Sequence, residues 1–114
     1  MSNSDHTFDR LREIAGSVIP AGGSVWLYGS RARGDARNDS DWDILILLNK
    51  NKIEKEDYDN VGYPFTELGW AIGEMIIPVL YTVKEWEQSS FTPFYKNVEQ
   101  DKIAVAYSNS KGTY

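Results

Sequence analysis

The sequence predicts an α/β (α+β) domain in which helices pack on a small mixed β-sheet. Three observations predict it. Apolar residues recur at three- and four-residue spacings in two stretches, Phe8, Leu11, Ala15 and Val18, then Val61, Phe65, Leu68 and Ile72. Shorter β-branched and aromatic runs at Ser24–Tyr28, Trp42–Leu48 and residues 75–83 alternate with them. The length, 114 residues, suits one domain with a real core and is too short for two.

Taken in order, Met1 to Ser4 is polar and expected to fray. A first helix follows to about Gly16 or Val18, with Asp5 or Thr7 as its cap. Pro20-Ala21-Gly22-Gly23 turns the chain into a short buried strand, Ser24–Tyr28. Residues 31–37 read as a short helix weakened by Gly34, and Asn38-Asp39-Ser40 is turn chemistry. Trp42–Leu48 is nearly all apolar, the pattern of a strand buried on both faces.

From Ile53 the pattern is helical, with Glu54, Glu56 and Asp57 favouring the positive N-terminal end. Pro64 should kink this helix or divide it in two, and Gly73 should end it. Residues 75–83 read as a third strand that Pro78 confines to an edge or a bulge. Residues 84–88 suggest a helical turn. Thr92-Pro93 reads as an N-cap with proline in the first turn of a further helix. Ile103, Val105 and Tyr107 alternate as a last strand. The expected organisation is one domain over residues 1–107 and a polar, disordered tail over 108–114.

Composition removes several chemistries. There is no cysteine, so disulfides, thiolate nucleophiles and cysteine-held zinc are excluded. The single histidine, His6, lies near the N-terminus and serves Ser-His-Asp catalysis or a histidine metal site poorly. No apolar run approaches the roughly 20 residues that span a bilayer, no segment reads as a signal peptide, and a cytoplasmic address is expected. The net charge of −5 disfavours a nucleic-acid surface. Residues 1–53 are balanced, whereas residues 54–101 hold ten acids against three lysines. All five arginines lie at or before Arg37, which suits a local anionic ligand better than a long polyanion.

The chemistry concentrates in one stretch, Gly29-Ser30 followed ten residues later by Asp41-Trp42-Asp43. Side chains two apart on a strand point the same way, which puts these carboxylates roughly 6–7 Å apart along it. Such a pair repels itself unless a cation lies between, and Mg²⁺ held by one or two carboxylates plus substrate phosphates is common in nucleotide chemistry. Gly29 admits a close ligand or positive φ, and Ser30 adds a hydroxyl. Arg31 and Arg33 can reach phosphate oxygens, and one of them can pair with Asp35 or Asp39 instead. Separately, each feature is more often a turn, a solvated pair or a surface charge. Together, between two strands, they describe a nucleoside triphosphate site.

These residues resemble the signature of the DNA polymerase β-type nucleotidyltransferase superfamily. The run GSRARGDARNDSDWD is similar to its minimal nucleotidyltransferase (MNT) antitoxin branch, small prokaryotic proteins often paired with a helical HEPN toxin. The resemblance implies the polymerase β-type fold and Mg²⁺-dependent transfer of a nucleoside monophosphate, commonly AMP from ATP though another NTP is open, to an acceptor hydroxyl. A tyrosine of a HEPN partner is one such acceptor, and pyrophosphate leaves. It assigns catalysis and metal binding to Asp41 and Asp43 and phosphate binding to Gly29 and Ser30, with Arg31 and Arg33 as further phosphate groups.

The family's third carboxylate, which helps hold a second Mg²⁺, is expected near Val79, where this sequence has no acid. Glu74 is the nearest substitute and the weak third metal candidate, so one Mg²⁺ is favoured over two. A domain this small leaves acceptor choice to a partner or a homodimer. The alternative is a catalytically weak antitoxin that neutralises a helical partner by contact through its acidic segment 54–101.

Overall fold

Strand β2 (Trp42–Leu48) is the centre of the fold, and six of its seven residues are buried. It pairs antiparallel with β1 (Ser24–Tyr28) on one side and parallel with β3 (Ile76–Thr82) on the other. Strand β4 (Ile103–Tyr107) adds antiparallel to β1, which gives a mixed sheet in the order β3-β2-β1-β4. The computed structural model describes residues 3–108, with side chains from residue 6.

Alternation along β2 divides the two faces. Ile44, Ile46 and Leu48 point to the larger core, against Leu11 and Ala15 of helix α1 (Asn3–Val18) and Phe65 and Leu68 of α4 (Tyr63–Ile72). Leu45 and Leu47 point the other way, against Trp86 of α5 (Val83–Gln88) and Val98 of α6 (Pro93–Asp101). The apolar run is continuous because helices cover both sides. Pro78 sits on β3, an edge strand, where a missing N–H costs no ladder bond.

Several boundaries differ from the sequence expectation for local reasons. Helix α1 starts at Asn3, so Asp5 and Thr7 lie inside it. Thr7 is buried one turn before Leu11 on the core face, and the helix must extend past it. Helix α2 is one turn, Ser30–Arg33, rather than reaching residue 37. Gly34 takes a left-handed conformation (φ +84°) and its N–H caps Ser30 O, which closes the turn. The long helix is divided, as expected from Pro64, into α3 (Lys55–Asp57), a π-helical turn (Tyr58–Gly62) and α4. Tyr63 N–H bonds Tyr58 O across the wide turn, immediately before Pro64, which has no N–H to continue a regular ladder.

Strand β3 ends at Thr82 because a reciprocal capping box takes over. Glu85 N–H donates to Thr82 Oγ1 (3.0 Å) while Thr82 N–H donates to Glu85 Oε1 (2.9 Å). Thr92 caps α6 as expected, accepting from Tyr95 N–H, with Pro93 following. Of the expected polar tail only Ser108 lies within the described residues, and it is tied down: its N–H bonds Gly23 O and its carbonyl accepts from Gly22 N–H.

Candidate functional site

The motif occupies one end of the β1–β2 hairpin. Asp43 pairs with Tyr28 on β1 and with Ile77 on β3, so its side chain shares a face with both. This is the α5/α6 face. Those helices cover Leu45 and Leu47 and leave the Asp43 end open to solvent. Gly29, next to Tyr28, has φ +79° and ψ −158°, a region almost restricted to glycine. A Cβ built on Gly29 would stand 2.5 Å from Asp43 Oδ2. The Gly-Ser element and the carboxylate are therefore in direct apposition.

Burial pushes the Asp43 carboxyl above the usual carboxylate range, repulsion by Asp41 adds to it, and Arg33 opposes it. Asp41, on the loop just before β2, is exposed. A partly buried carboxylate crowded by a second one is a donor set with excess negative charge, which a hard divalent cation relieves. The chemistry of Asp41 and Asp43 is thus compatible with a divalent cation. Tyr28 borders the same site, its phenol pushed up to about 12 by burial, by Asp43 and by Tyr81.

The two arginines have different places. Arg33 stands at the rim, where Nη1 donates to Asp101 (3.0 Å) and Nε to Asp35 (3.1 Å). Both ion pairs are solvent-exposed on the arginine side and weak enough to exchange for phosphate. Arg31 is turned inward. One guanidinium nitrogen, Nη2, donates to Ser40 O (3.0 Å) and Asn38 O (3.3 Å), and the guanidinium lies 4.5 Å from the Trp42 ring centroid. Arg31 thereby holds the loop that delivers Asp41.

Glu74 is not brought to the carboxylate pair. Trp42 and Asp43 are adjacent on β2 and point to opposite faces, and Glu74 is on the Trp42 side. Its Oε1 accepts from Trp42 Nε1 (3.1 Å) and lies 3.8 Å from Arg31 Nη2. Among the described residues no three acidic or histidine side chains converge. On the Asp43 face β3 presents Ile77 and Val79, opposite Asp43 and Leu45, so the strand from which a third acid is expected supplies hydrocarbon. The structural roles of Trp42, Tyr28 and Asp101 are additions to the sequence reading. Strand register could have found Tyr28; no local signal marks Asp101, 68 residues from Arg33.

Among the described residues no helix is long and apolar enough to cross a membrane. No curated protein sequence matches the chain. Three solved structures of toxin–antitoxin complexes share its architecture. One, a toxin–antitoxin with AMP-PNP, has TM-score 0.59 and 14% identity over 92% of this chain and 77% of that one. Another, a tri-AMPylated HEPN toxin from Shewanella oneidensis in complex with an MNT antitoxin, has TM-score 0.56 and 12% identity over 92% and 73%. A mutant of the MntA–HpeT toxin–antitoxin is similar to the same degree, with TM-score 0.59 and 12% identity over 92% and 77%. At these identities the likeness is one of fold. Residues 8–105 match the family described as the nucleotidyltransferase domain, which covers most of the sequence. The chain belongs to the nucleotidyltransferase domain family and has the fold found in these MNT-type toxin–antitoxin structures.

Proposed function

We propose that this protein transfers a nucleoside monophosphate, AMP from ATP in the first instance, onto a hydroxyl of a protein partner. The observation that carries this is the apposition of Gly29 with Asp43 beside Asp41: the Gly-Ser turn stands directly against a crowded carboxylate pair, with Arg33 as the cation that acts on Asp43. Asp41 and Asp43 would hold Mg²⁺, which when bound neutralises the triphosphate and orients it for in-line displacement. Ser30 donates its hydroxyl to a phosphate oxygen, and Arg33 exchanges its carboxylate partners for phosphate at the rim. The acceptor oxygen bonds to the α-phosphorus, the bond to the β-phosphate oxygen breaks, pyrophosphate leaves and the hydroxyl proton passes to water.

A tyrosine of a HEPN-type helical toxin is the acceptor we favour, supported by the likeness to a complex holding an AMPylated HEPN toxin. The working address in this reading is the cytoplasm. A second reading, an antitoxin that neutralises its partner by contact with little or no turnover, draws on the hydrocarbon at Ile77 and Val79 where a third acid is expected.

The test is incubation with Mg²⁺, labelled ATP and the protein of the neighbouring reading frame, followed by mass spectrometry of the modified residue. Label on the partner that disappears with Asp41→Asn, Asp43→Asn supports transfer. Neutralisation of the partner that survives the double substitution, with no label, supports binding alone.

A further inference from the structure

The edge of the fold beside β3 carries a surface that the carboxylate site does not use. Tyr58, Tyr63, Trp70 and Met75 stand exposed along the π-helical turn, α4 and the turn that follows. Trp70 is 68% exposed, whereas Trp42 and Trp86 are each 3% exposed. Tyr63 and Trp70 meet edge to face with ring centroids 5.8 Å apart, so they form one aromatic ridge. Two cavities open along this ridge and share Thr66. The larger, about 500 Å³, lies between Trp70, Met75 and the loop 38–40; the smaller, about 240 Å³, lies between Tyr58, Tyr63 and Pro78.

Every charged side chain lining the two cavities is an acid: Asp39 and Glu74 in the larger, Asp59 in the smaller. Asp59 is paired at 3.0 Å with Lys55 in an exposed i,i+4 pair, the kind that exchanges at little cost. Asp39 is exposed. An acidic surface is repelled by anionic lipid, so a membrane does not suit it. Its complement carries apolar and cationic side chains together.

We propose that this edge docks an amphipathic basic helix of a protein partner. The partner's apolar side chains cover Tyr63, Trp70 and Met75, and its lysines or arginines enter the two acid-lined cavities, with one cation against the Trp70 ring. This deepens the reading of a helical partner by placing where the partner sits. Helix α4 packs on the sheet face opposite Asp43, so a docked helix leaves the carboxylates open to nucleotide. The loop 38–40, one wall of the larger cavity, leads directly into Asp41, so the docked partner lies close to the site of transfer.

Trp70 is the natural reporter. The probe is a synthetic helix of Leu and Lys in an amphipathic pattern, titrated into the whole chain, beside a scrambled peptide of equal charge and a version with Glu for Lys. The amphipathic Lys peptide is expected to shift tryptophan emission to the blue, saturably, and the other two are expected to leave it unchanged. Labelled-peptide anisotropy should show about ten-fold weaker binding to Trp70→Ala, and to Asp39→Asn with Asp59→Asn, at unchanged melting temperature. Asp41→Asn with Asp43→Asn should bind the peptide as wild type while losing AMP transfer, which separates failure of docking from failure of the transfer reading. Equal binding of the scrambled peptide, or full binding to Trp70→Ala, overturns the proposal. So does a dimer in sedimentation that dissociates with Trp70→Ala, since that gives the face to a second copy.

Discussion

Gly29 and Asp43 are built against each other: the carboxylate Oδ2 lies 2.5 Å from where any side chain on residue 29 would begin. The glycine is required twice, once for its φ of +79° and once for this space. Gly29→Ala is therefore expected to displace the Asp43 carboxylate and to lower stability by about 1–3 kcal/mol. Urea denaturation checks the stability, and Mn²⁺ titration checks the carboxylate, with weakened metal binding expected. Unchanged values for both would show that the strand end relaxes around an alanine.

Asp43→Asn removes the repulsion with Asp41 and the cost of burying a charge. Without divalent metal, this variant is expected to melt at or above the wild-type temperature. Added Mg²⁺ should raise the wild-type melting temperature and leave the variant unmoved, because a ligand stabilises only the state that binds it. Transfer should fall by about 100-fold or more, given the several kcal/mol a held metal supplies. A variant that melts well below wild type without metal would mean that Asp43 is structural.

Glu74 has a different signature from a metal ligand. Glu74→Ala leaves the buried Trp42 Nε1 without its acceptor and loosens Arg31, at a cost of about 1–3 kcal/mol. Glu74→Gln retains an amide oxygen that can accept from Trp42 and should recover most of that loss. Mn²⁺ affinity is expected to stay within about two-fold in Glu74→Gln, since the carboxylate stands on the far face. A large loss of metal affinity in Glu74→Gln would place it in the metal site after all.

The acid limb of stability should depend on Glu99. Burial pushes this carboxyl up, but hydrogen bonds from Lys102 and from Trp86 Nε1, both 2.7 Å, outweigh it and hold the group below its ordinary 4.5. A depressed folded-state value means the contribution is complete above the unfolded value and is lost as pH falls through the folded one. Melting temperature should therefore drop as pH falls below 4.5, and Glu99→Gln should be less stable at neutral pH with a shallower drop. Parallel acid limbs in the two proteins would exclude Glu99 as a source.

Much of this protein is legible in its sequence because the determinants are local. The periodicities that place α1, β2 and α4 are read within one turn or one strand. Thr92 announces its helix through a bond that spans three residues, whereas Thr82 and Gly34 end their elements where the sequence expectation ran on to residues 83 and 37. Gly29, Ser30, Asp41 and Asp43 are likewise legible as one cluster, since the two ends of a short hairpin are brought together by the strand pairing itself. What the sequence could not assign is the side of the sheet on which each charged group falls. Arg31 and Arg33 are two residues apart and look alike, yet one grips the Asn38 and Ser40 carbonyls behind the site while the other meets Asp101 at its rim. Glu74 follows the helix that should lead to a third carboxylate, and the turn after α4 sets it on Trp42 instead. A one-residue change of direction on a strand reverses the face, and only packing against both helical layers decides it.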